Sequence, residues 1–524
     1  MPRIIVEQIK ASTNVEEREI FEIAKARLIK TRAFLHFRDF YVYKKSVDAR
    51  NKGDIKLVYS VCVSATSKIQ LSDKLLQKYQ LKILPDSDIS FKLVGQAPEK
   101  RPLIVGFGPA GMFCALALAR AGLRPVVIER GADVDTRVKA VERFIATKEL
   151  DENTNIQFGA GGAGTFSDGK LNTGINDPKC AFVLKTLYEL GGPKDILFNA
   201  KPHIGTDVLR NVVKNMAKHI EELGGSIYYN TKLLSYENGV AVTTAGDFEY
   251  SYLVLAIGHS ARDTYSYLLD KGVAIEAKPF SVGVRIEHLR EEIDRAMYGE
   301  LHTKQNLGAA SYNLSHRDNG RGVYSFCMCP GGEVVCAQSE KNTIVVNGMS
   351  HHARNNVNSN SAIVVQINRD DYGNTPIKAI EFQRNLEKKA FEIAGSNYKA
   401  PVQTLGDFYN GCAVHEPKRI LPSYMNNYTQ ICDLNKLLPK TVCDYLKLGF
   451  EKFGQKISGF NMDDVPITGV ETRTSSPIRI LRTDKYTMLN DPCVYPSGEG
   501  AGYAGGIMSA AVDGLNVGLA ILNR

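Results

Sequence analysis

Apolar and polar positions change rhythm several times along this chain of 524 residues, and each rhythm predicts an element. Alternation over Ile4–Ile9 predicts a strand. Behind the N-cap residue Asn14, the apolar residues Val15, Ile20, Ile23, Ala24 and Ala26 recur at helical spacing as far as Leu28. Phe34–Tyr43 and Ile55–Val63, rich in β-branched and aromatic residues, predict two strands joined by a turn that holds Asp48, Asn51 and Gly53. A short helix over Leu71–Tyr79 and a strand over Ile89–Val94 complete a β-α-β-β-α-β series, expected to form a ferredoxin-like layer over residues 1–97. The polar linker GQAPEKRP follows. Strand and helix signals then alternate over 98–280. Residues 281–460 read as mixed α/β with a polar loop at Asn355–Ser361, and 461–524 return to a strand, a glycine-rich turn and a helix.

Composition narrows the picture only a little. Hydrophobic residues make 44% and charged residues 23%, a globular balance that excludes disordered and fibrous classes. No apolar run is long enough to span a bilayer. The opening MPRIIVEQIKAST has no signal-peptide core. Ten cysteines without a CxxC pair argue against a disulfide scaffold or zinc ribbon, so no metal is expected and a reducing cytoplasm is. The net charge of +8 is uneven, since residues 1–100 hold 19 Lys and Arg against 12 Asp and Glu. Such a basic layer is either a solvated face or a surface for RNA.

Chemistry enters at residue 103. The run Leu103-Ile104-Val105 leads into Gly106-Phe107-Gly108-Pro109-Ala110-Gly111, then the Ala- and Leu-rich helix Met112–Ala121, then the strand Pro125–Ile128 ending in Glu129. This is GxGxxG inside a complete β-α-β unit. Gly106 permits the tight turn, Gly108 lets backbone approach a diphosphate, and Gly111 lets helix and strand close. The helix start offers free N–H groups and a positive dipole end, and Glu129 can accept ribose hydroxyls. A dinucleotide site is expected here. Two later segments point to FAD. Tyr252–Gly258 ends in Ala256-Ile257-Gly258 and resembles the strand-end motif of two-dinucleotide flavoproteins. Tyr495–Ile507 resembles a C-terminal flavin motif, with Gly498-Glu499 in place of Gly-Asp and with Gly505, Gly506 and Ile507 opening a helix whose positive end favours an anionic reduced flavin.

The stretch NIQFGAGGAGTFSDGKLNTG (155–174) is the most distinctive. With KPFSVGVRIEH (278–288), FCMCPGG (326–332), ETRTSSPIRILR (471–482) and YPSGEGAGYAGGIMSAAVDG (495–514), it resembles the bacterial FAD-dependent dehydrogenases of the NAD(P)/FAD-dependent oxidoreductase family. The resemblance covers nearly the whole chain. It departs from the family pattern at Ala160, where Glu is common. It implies an α/β protein with a Rossmann-like, glutathione-reductase-like FAD domain (98–280 and 461–524), an inserted α+β substrate domain (281–460) and the N-terminal layer. FAD would be held without a covalent link.

Within 159–170, five glycines that include Gly161, Gly162 and Gly164 bring backbone close to something flat or anionic, and Thr165, Ser167 and Lys170 offer donors to flavin or phosphate. Arg130 and Arg137 either reach adenine and phosphate or sit exposed on a helix. Leu233 resembles the position whose backbone contacts adenine.

The reacting groups are harder to read. No second GxGxxG is present, so NAD(P)H, if it is the donor, binds transiently over the flavin. Cys327 and Cys329 form a CxC ahead of Pro330-Gly331-Gly332. In a regular strand both face one side with Met328 opposite, either as a redox pair or as a small-residue face. Arg473 is either a carboxylate or phosphate clamp or the ion-pair partner of Glu471. His351, His352 and Arg354 are either an anion site or a polar loop. Lys170, Arg473, Cys327 and Cys329 are thus the catalytic candidates. The expected activity is FAD-dependent oxidoreduction of a small-molecule substrate by hydride transfer at flavin N5. An RNA-modifying flavoenzyme and a non-enzymatic flavin-binding module are the alternatives. Substrate, electron donor and oligomeric state stay open.

Overall fold

A computed structural model describes residues 3–31, 37–65, 71–84 and 89–524 of the chain. The first sheet has strand order Phe37–Asp48, Lys56–Ala65, Arg3–Ala11, Leu81–Leu84, with every neighbouring pair antiparallel. Helices Glu17–Ile29 and Asp73–Tyr79 complete a β-α-β-β-α-β series. The expected start of the second strand, Phe34–His36, lies outside the described residues. The last strand is not Ile89–Val94, as the sequence pattern suggests, but Leu81–Leu84. The side chains of Ile89, Phe91 and Leu93 pack instead on the core around the first helix of the next unit, and Val94 N–H donates to Leu522 O at 2.9 Å. Burial against neighbouring helices outweighs the local strand propensity of this segment.

The central layer is a parallel sheet in the order Val494–Pro496, Leu253–Leu255, Leu103–Val105, Val126–Ile128, Ser226–Tyr228. Its inner strands read LIV, VVI and LVL and are wholly buried, as strands covered on both faces must be. Helix Ile507–Leu522 lies on helix Pro109–Arg120 through small residues. A Cβ at Gly514 would stand 2.0 Å from Ala110 O, and one at Gly518 would stand 2.8 Å from Ala117 Cβ. This contact brings the beginnings of the first and last helices of the sheet to one edge.

A seven-stranded sheet forms the third layer, in the order Ser315–Asp318, Arg321–Cys329, Asn358–Ile367, Phe280–Leu289, Pro466–Glu471, Ala400–Thr404, Thr429–Ile431. The pattern misleads twice here. The Asn- and Ser-rich stretch expected as a loop opens a central strand, and Asn358, Ser359, Asn360 and Ser361 are all buried. Most of their polar groups have partners, although Asn360 Nδ2 is buried without one among the described residues. Asn360 Oδ1 accepts from Arg285 at 2.6 Å, Asn358 Nδ2 donates to Glu287 at 3.0 Å, and Ser359 Oγ accepts from Gly331 N–H at 3.0 Å. The chain also returns to the parallel sheet later than the expected boundary at 461. Pro466–Glu471 is an inner strand of the seven-stranded sheet, and the return comes only at Val494–Pro496.

Candidate functional site

At the carboxyl ends of Leu103–Val105 and Leu253–Leu255 lies a cleft of about 350 Å³, within the range of small-molecule sites. Its walls come from segments far apart in sequence: Gly106, Gly108, Pro109 and Ala110; Glu129 and Arg130; Gly162, Gly164 and Lys170; Leu233; Ala256 and Gly258; Cys327; Arg473; and Glu499, Gly505, Gly506 and Ile507. Most of the expected site residues therefore share one cavity.

The turn after Leu103–Val105 is shaped by sterics. Gly106 has φ +102°, and a Cβ there would stand 2.3 Å from Ala256 O. Gly111 does not line the cleft; a Cβ on it would stand 1.9 Å from Gly106 O, so it closes the helix onto the turn. Helix Pro109–Arg120 starts at Gly108 with Pro109 in its first turn, where a missing N–H is harmless. Helix Ile507–Leu522 starts at Gly506 on the same cleft. Two helix beginnings, each with N–H groups that have no intrahelical partner, thus line one cavity.

Glu129 has backbone partners of its own. Its carboxylate accepts N–H bonds from Phe107 at 2.8 Å, Gly131 at 3.0 Å and Gly159 at 2.9 Å, and so joins the first turn to the 159–170 loop. Arg137 is neither a cofactor contact nor an exposed helix residue. It is fully buried, away from the cleft, and donates to the carbonyls of Asn155, Ile156, Gly159, Ala160 and Gly162. The loop's glycines expose backbone carbonyls inward, and one guanidinium answers five of them. Burial pushes Arg137 down to about 9. Arg137→Met is expected to lower stability by about 3 kcal/mol or more, because buried carbonyls are left without donors; the urea unfolding midpoint measures it.

Thr165 and Gly161 likewise lie off the cleft. Thr165 Oγ1 donates to Ala160 O at 3.2 Å, and a Cβ on Gly161 would press on Thr165 Oγ1 and Val213, so both shape the loop rather than the cavity. Arg130 does line the cleft, with its guanidinium 4.0 Å over the Phe158 ring and 3.1 Å from Asp263.

At the C-terminal turn the organising acid is Asp513, within the last helix. It accepts Gly498 N–H at 2.7 Å and Ser497 Oγ at 3.1 Å, and pairs with Arg482 at 2.6 Å. Gly498 is thereby held behind the cleft rather than in its wall. Glu499 faces the cleft and accepts from His259 Nδ1 at 2.9 Å. His259 also lines the cavity, and its Nε2 is buried without a hydrogen-bond partner among the described residues.

Arg473 reaches the cleft but is not free to act as a clamp, and its partner is not Glu471. It pairs with Glu387 at 3.0 Å and donates to Ser260 at 3.0 Å and Ser339 at 2.5 Å. Glu387 also holds Arg262 at 2.7 Å, and burial notwithstanding, the two guanidiniums keep its carboxyl well below the usual range. Glu471 is taken by Arg285 at 2.9 Å.

On the opposite wall Lys170 lies 3.0 Å from Asp168 and 3.8 Å from Cys329 Sγ. Asp168 also accepts from Arg354 and Ser350. His352 stacks on His203 with ring centroids 5.0 Å apart. The His351–Arg354 segment is therefore the support of Asp168 rather than a free anion site. The CxC pair is near Lys170, yet not as alternation requires. Phe326 faces Ala362 and Cys329 faces Asn360, leaving one residue too many between them, and Cys327 takes φ +43° in this bulge. Cys327 lines the cleft and Cys329 lies buried beside it.

Five titratable neighbours of these residues are not singled out by the sequence reading: Asp168 and His259 in the cleft wall, and Arg262, Glu387 and Asp513 behind it. Asp168 and His259 stand beside singled-out residues and carried a signal in their spacing. Glu387, on helix Pro376–Ile393, carried none, because only tertiary packing brings it to Arg473 and Arg262 behind the cleft wall.

Fold and cleft together define a mixed α/β protein with a cleft at the carboxyl ends of its parallel strands. The chain belongs to the same family as an uncharacterized protein of Clostridium beijerinckii, to which it is 45% identical over 500 residues, covering 92% of each chain. Residues 279–474 match the family described as FAD-dependent protein, C-terminal domain-like. Among solved structures, halogenase PltM in complex with phloroglucinol and FAD is similar at 11% identity and a TM-score of 0.37, over 81% of this chain and 70% of that one. OxyS anhydrotetracycline hydroxylase from Streptomyces rimosus is similar at 14% identity and a TM-score of 0.30, over 81% of this chain and 62% of that one. Both likenesses are remote. No helix among the described residues is long and apolar enough to cross a membrane, and none of their His, Cys, Asp and Glu side chains group as a metal site.

Proposed function

We propose that the chain is an FAD-dependent oxidoreductase that holds FAD non-covalently across this cleft, in a glutathione-reductase-like arrangement. The observation that carries the reading is the meeting, in one cavity, of the glycine turn at Gly106–Ala110, Glu129, the 162–170 loop, Leu233, Ala256, Gly258 and the helix start at Gly505–Ile507. The match of residues 279–474 to an FAD-dependent family supports it.

The residues present suit such a cofactor. A Cβ at Gly108 would come no nearer than 3.7 Å to any neighbour, and one at Gly505 or Gly506 would meet nothing within 4 Å, so these glycines leave room where a diphosphate and a ring must approach. In this reading Gly108 and the first turn of helix Pro109–Arg120 hold the diphosphate, Glu129 fixes the adenosine ribose, Leu233 borders the adenine, and Glu499 binds a ribityl hydroxyl with His259 orienting its carboxylate. Helix Ile507–Leu522 directs its positive end at the ring. When bound, the flavin supplies hydride transfer at N5. The substrate is a small molecule, admitted between the parallel sheet and the seven-stranded sheet. The ten free thiols suit a reducing cytoplasm.

Anaerobic mixing of the holoprotein with NADH or NADPH tests the activity. Bleaching of the flavin band by one of them is the expected result. A band that resists both nicotinamides and dithionite would show a flavin-binding module without redox work. Glu499→Ala is expected to weaken FAD binding about 10–100-fold, the worth of one charge-assisted hydrogen bond, as measured by titrating apoprotein with FAD.

A further inference from the structure

One wall of the cleft carries sulfur. Cys327 and Cys329 are both free thiols, and the β-bulge sets them on either side of Met328. Cys327 borders the cavity. Cys329 sits behind it, where its Sγ donates to Cys327 O at 3.3 Å and lies 3.8 Å from Lys170 Nζ. Arg285 approaches from the rear and donates to Cys327 O at 3.2 Å. The β-bulge that places Cys327 at φ +43° is a strained conformation for a residue with a side chain. Elsewhere in the chain burial pushes thiols up, as at Cys114, Cys336, Cys432 and Cys443. At Cys327 the neighbouring Cys329 thiol outweighs burial, and Lys170 and Arg285 add to it, so the thiol ionises well below its usual range. The proton is held on Cys329, whose ionisation is pushed up by the neighbouring Cys327 and by burial.

Resting on the FAD reading above, we propose that Cys327 and Cys329 are a redox-active dithiol that exchanges two electrons with the flavin in the shared cleft. The Cys327 thiolate joins Cys329 sulfur to sulfur, and the Cys329 S–H bond breaks. The electron pair and that proton together reduce FAD to its anionic two-electron form, so the charge balances. The reverse step opens the disulfide and returns the proton to Cys329. Lys170 stabilises whichever sulfur is anionic, and Asp168 holds Lys170 in place. The two thiols belong to one bulge with a single residue between them, so side-chain rotation within that segment is the movement that closes the ~2.0 Å disulfide bond.

The test is an electron count. Holoprotein is oxidised with diamide, freed of reagent, and titrated anaerobically with dithionite while absorption is followed. Wild type is expected to take up four electrons per flavin, two for the ring and two for the disulfide. Cys327→Ser and Cys329→Ser should each take up two, and Cys180→Ser, away from the cleft, should still take up four. Peptide mass of the diamide-treated protein should show the segment holding both cysteines two hydrogen masses lighter. Yellow wild-type protein that takes up two electrons and shows no such mass change would overturn this inference alone. Protein that binds no flavin would overturn it together with the FAD reading.

Discussion

Gly108→Val folds and binds no flavin: that is the largest effect expected of any single substitution here. The backbone at Gly108 is extended, with φ −84° and ψ −176°, a conformation that valine adopts readily. A Cβ there has Gly162 Cα at 3.7 Å as its nearest neighbour, an ordinary contact. The folded protein therefore tolerates the change. In the proposed complex the same Cβ and its two methyls occupy the space between backbone and diphosphate, and cover N–H groups at the start of helix Pro109–Arg120. Circular dichroism and the thermal midpoint should stay near wild type while the flavin band disappears. Gly106→Val is a useful contrast. It should unfold the turn, because φ +102° and Ala256 O at 2.3 Å forbid a side chain. Flavin retained by Gly108→Val would place the diphosphate elsewhere.

The second large effect is on stability, and it lies at Glu387. This carboxylate, on helix Pro376–Ile393, is completely buried between Arg262 and Arg473 and also accepts from Thr472 at 2.7 Å. Glu387→Gln leaves two buried guanidiniums short of a counter-charge, and the expected loss is about 3–5 kcal/mol, read as a lower urea midpoint. Arg473 and Arg262 also hold the cleft wall at Ser260 and the third layer together, so flavin retention should weaken in the same variant. The pH dependence follows from the direction of the shift. Glu387 and Asp168 both ionise below their ordinary values of 4.5 and 3.8 in the folded chain. Their contribution is fully present above those values and is lost as pH falls through the lower folded-state ones. Wild type should lose stability steeply below about pH 4.5, and the steepness should be smaller in Glu387→Gln, where one of the two groups no longer titrates.

The parts of this molecule that were legible in its sequence are those governed by local chemistry. Gly106-Phe107-Gly108 could be read because a tight turn beside a strand admits few other residues. The apolar triplets LIV, VVI and LVL announced a sheet covered on both faces. Glu129 was legible as an acid at a strand end, although its three backbone N–H partners were not. What escaped depends on contacts between distant segments. Arg137 looks like a cofactor ligand because it follows Glu129, yet the glycine loop that it fills lies 18 to 25 residues further along the chain and turns its carbonyls inward. The NSNS segment looked like a loop because its polarity was visible and its partners, Arg285 and Glu287 on the neighbouring strand, were not. Ion-pair partners were the least legible of all. Glu471 is two residues from Arg473 in sequence, but the strand ends at Glu471 and the chain turns away before Arg473, so the pairs that form are Glu471 with Arg285 and Arg473 with Glu387. The CxC pair shows the same limit, since one bulge altered the facing that simple alternation assigns.

The account stands or falls on what the cleft holds. Purified wild-type protein, scanned from the near ultraviolet to the visible and then denatured in acid, should release a yellow compound that chromatographs as FAD at one molecule per chain. Protein that is colourless and takes up no FAD on reconstitution, or that releases a different nucleotide from an intact cleft, would contradict it.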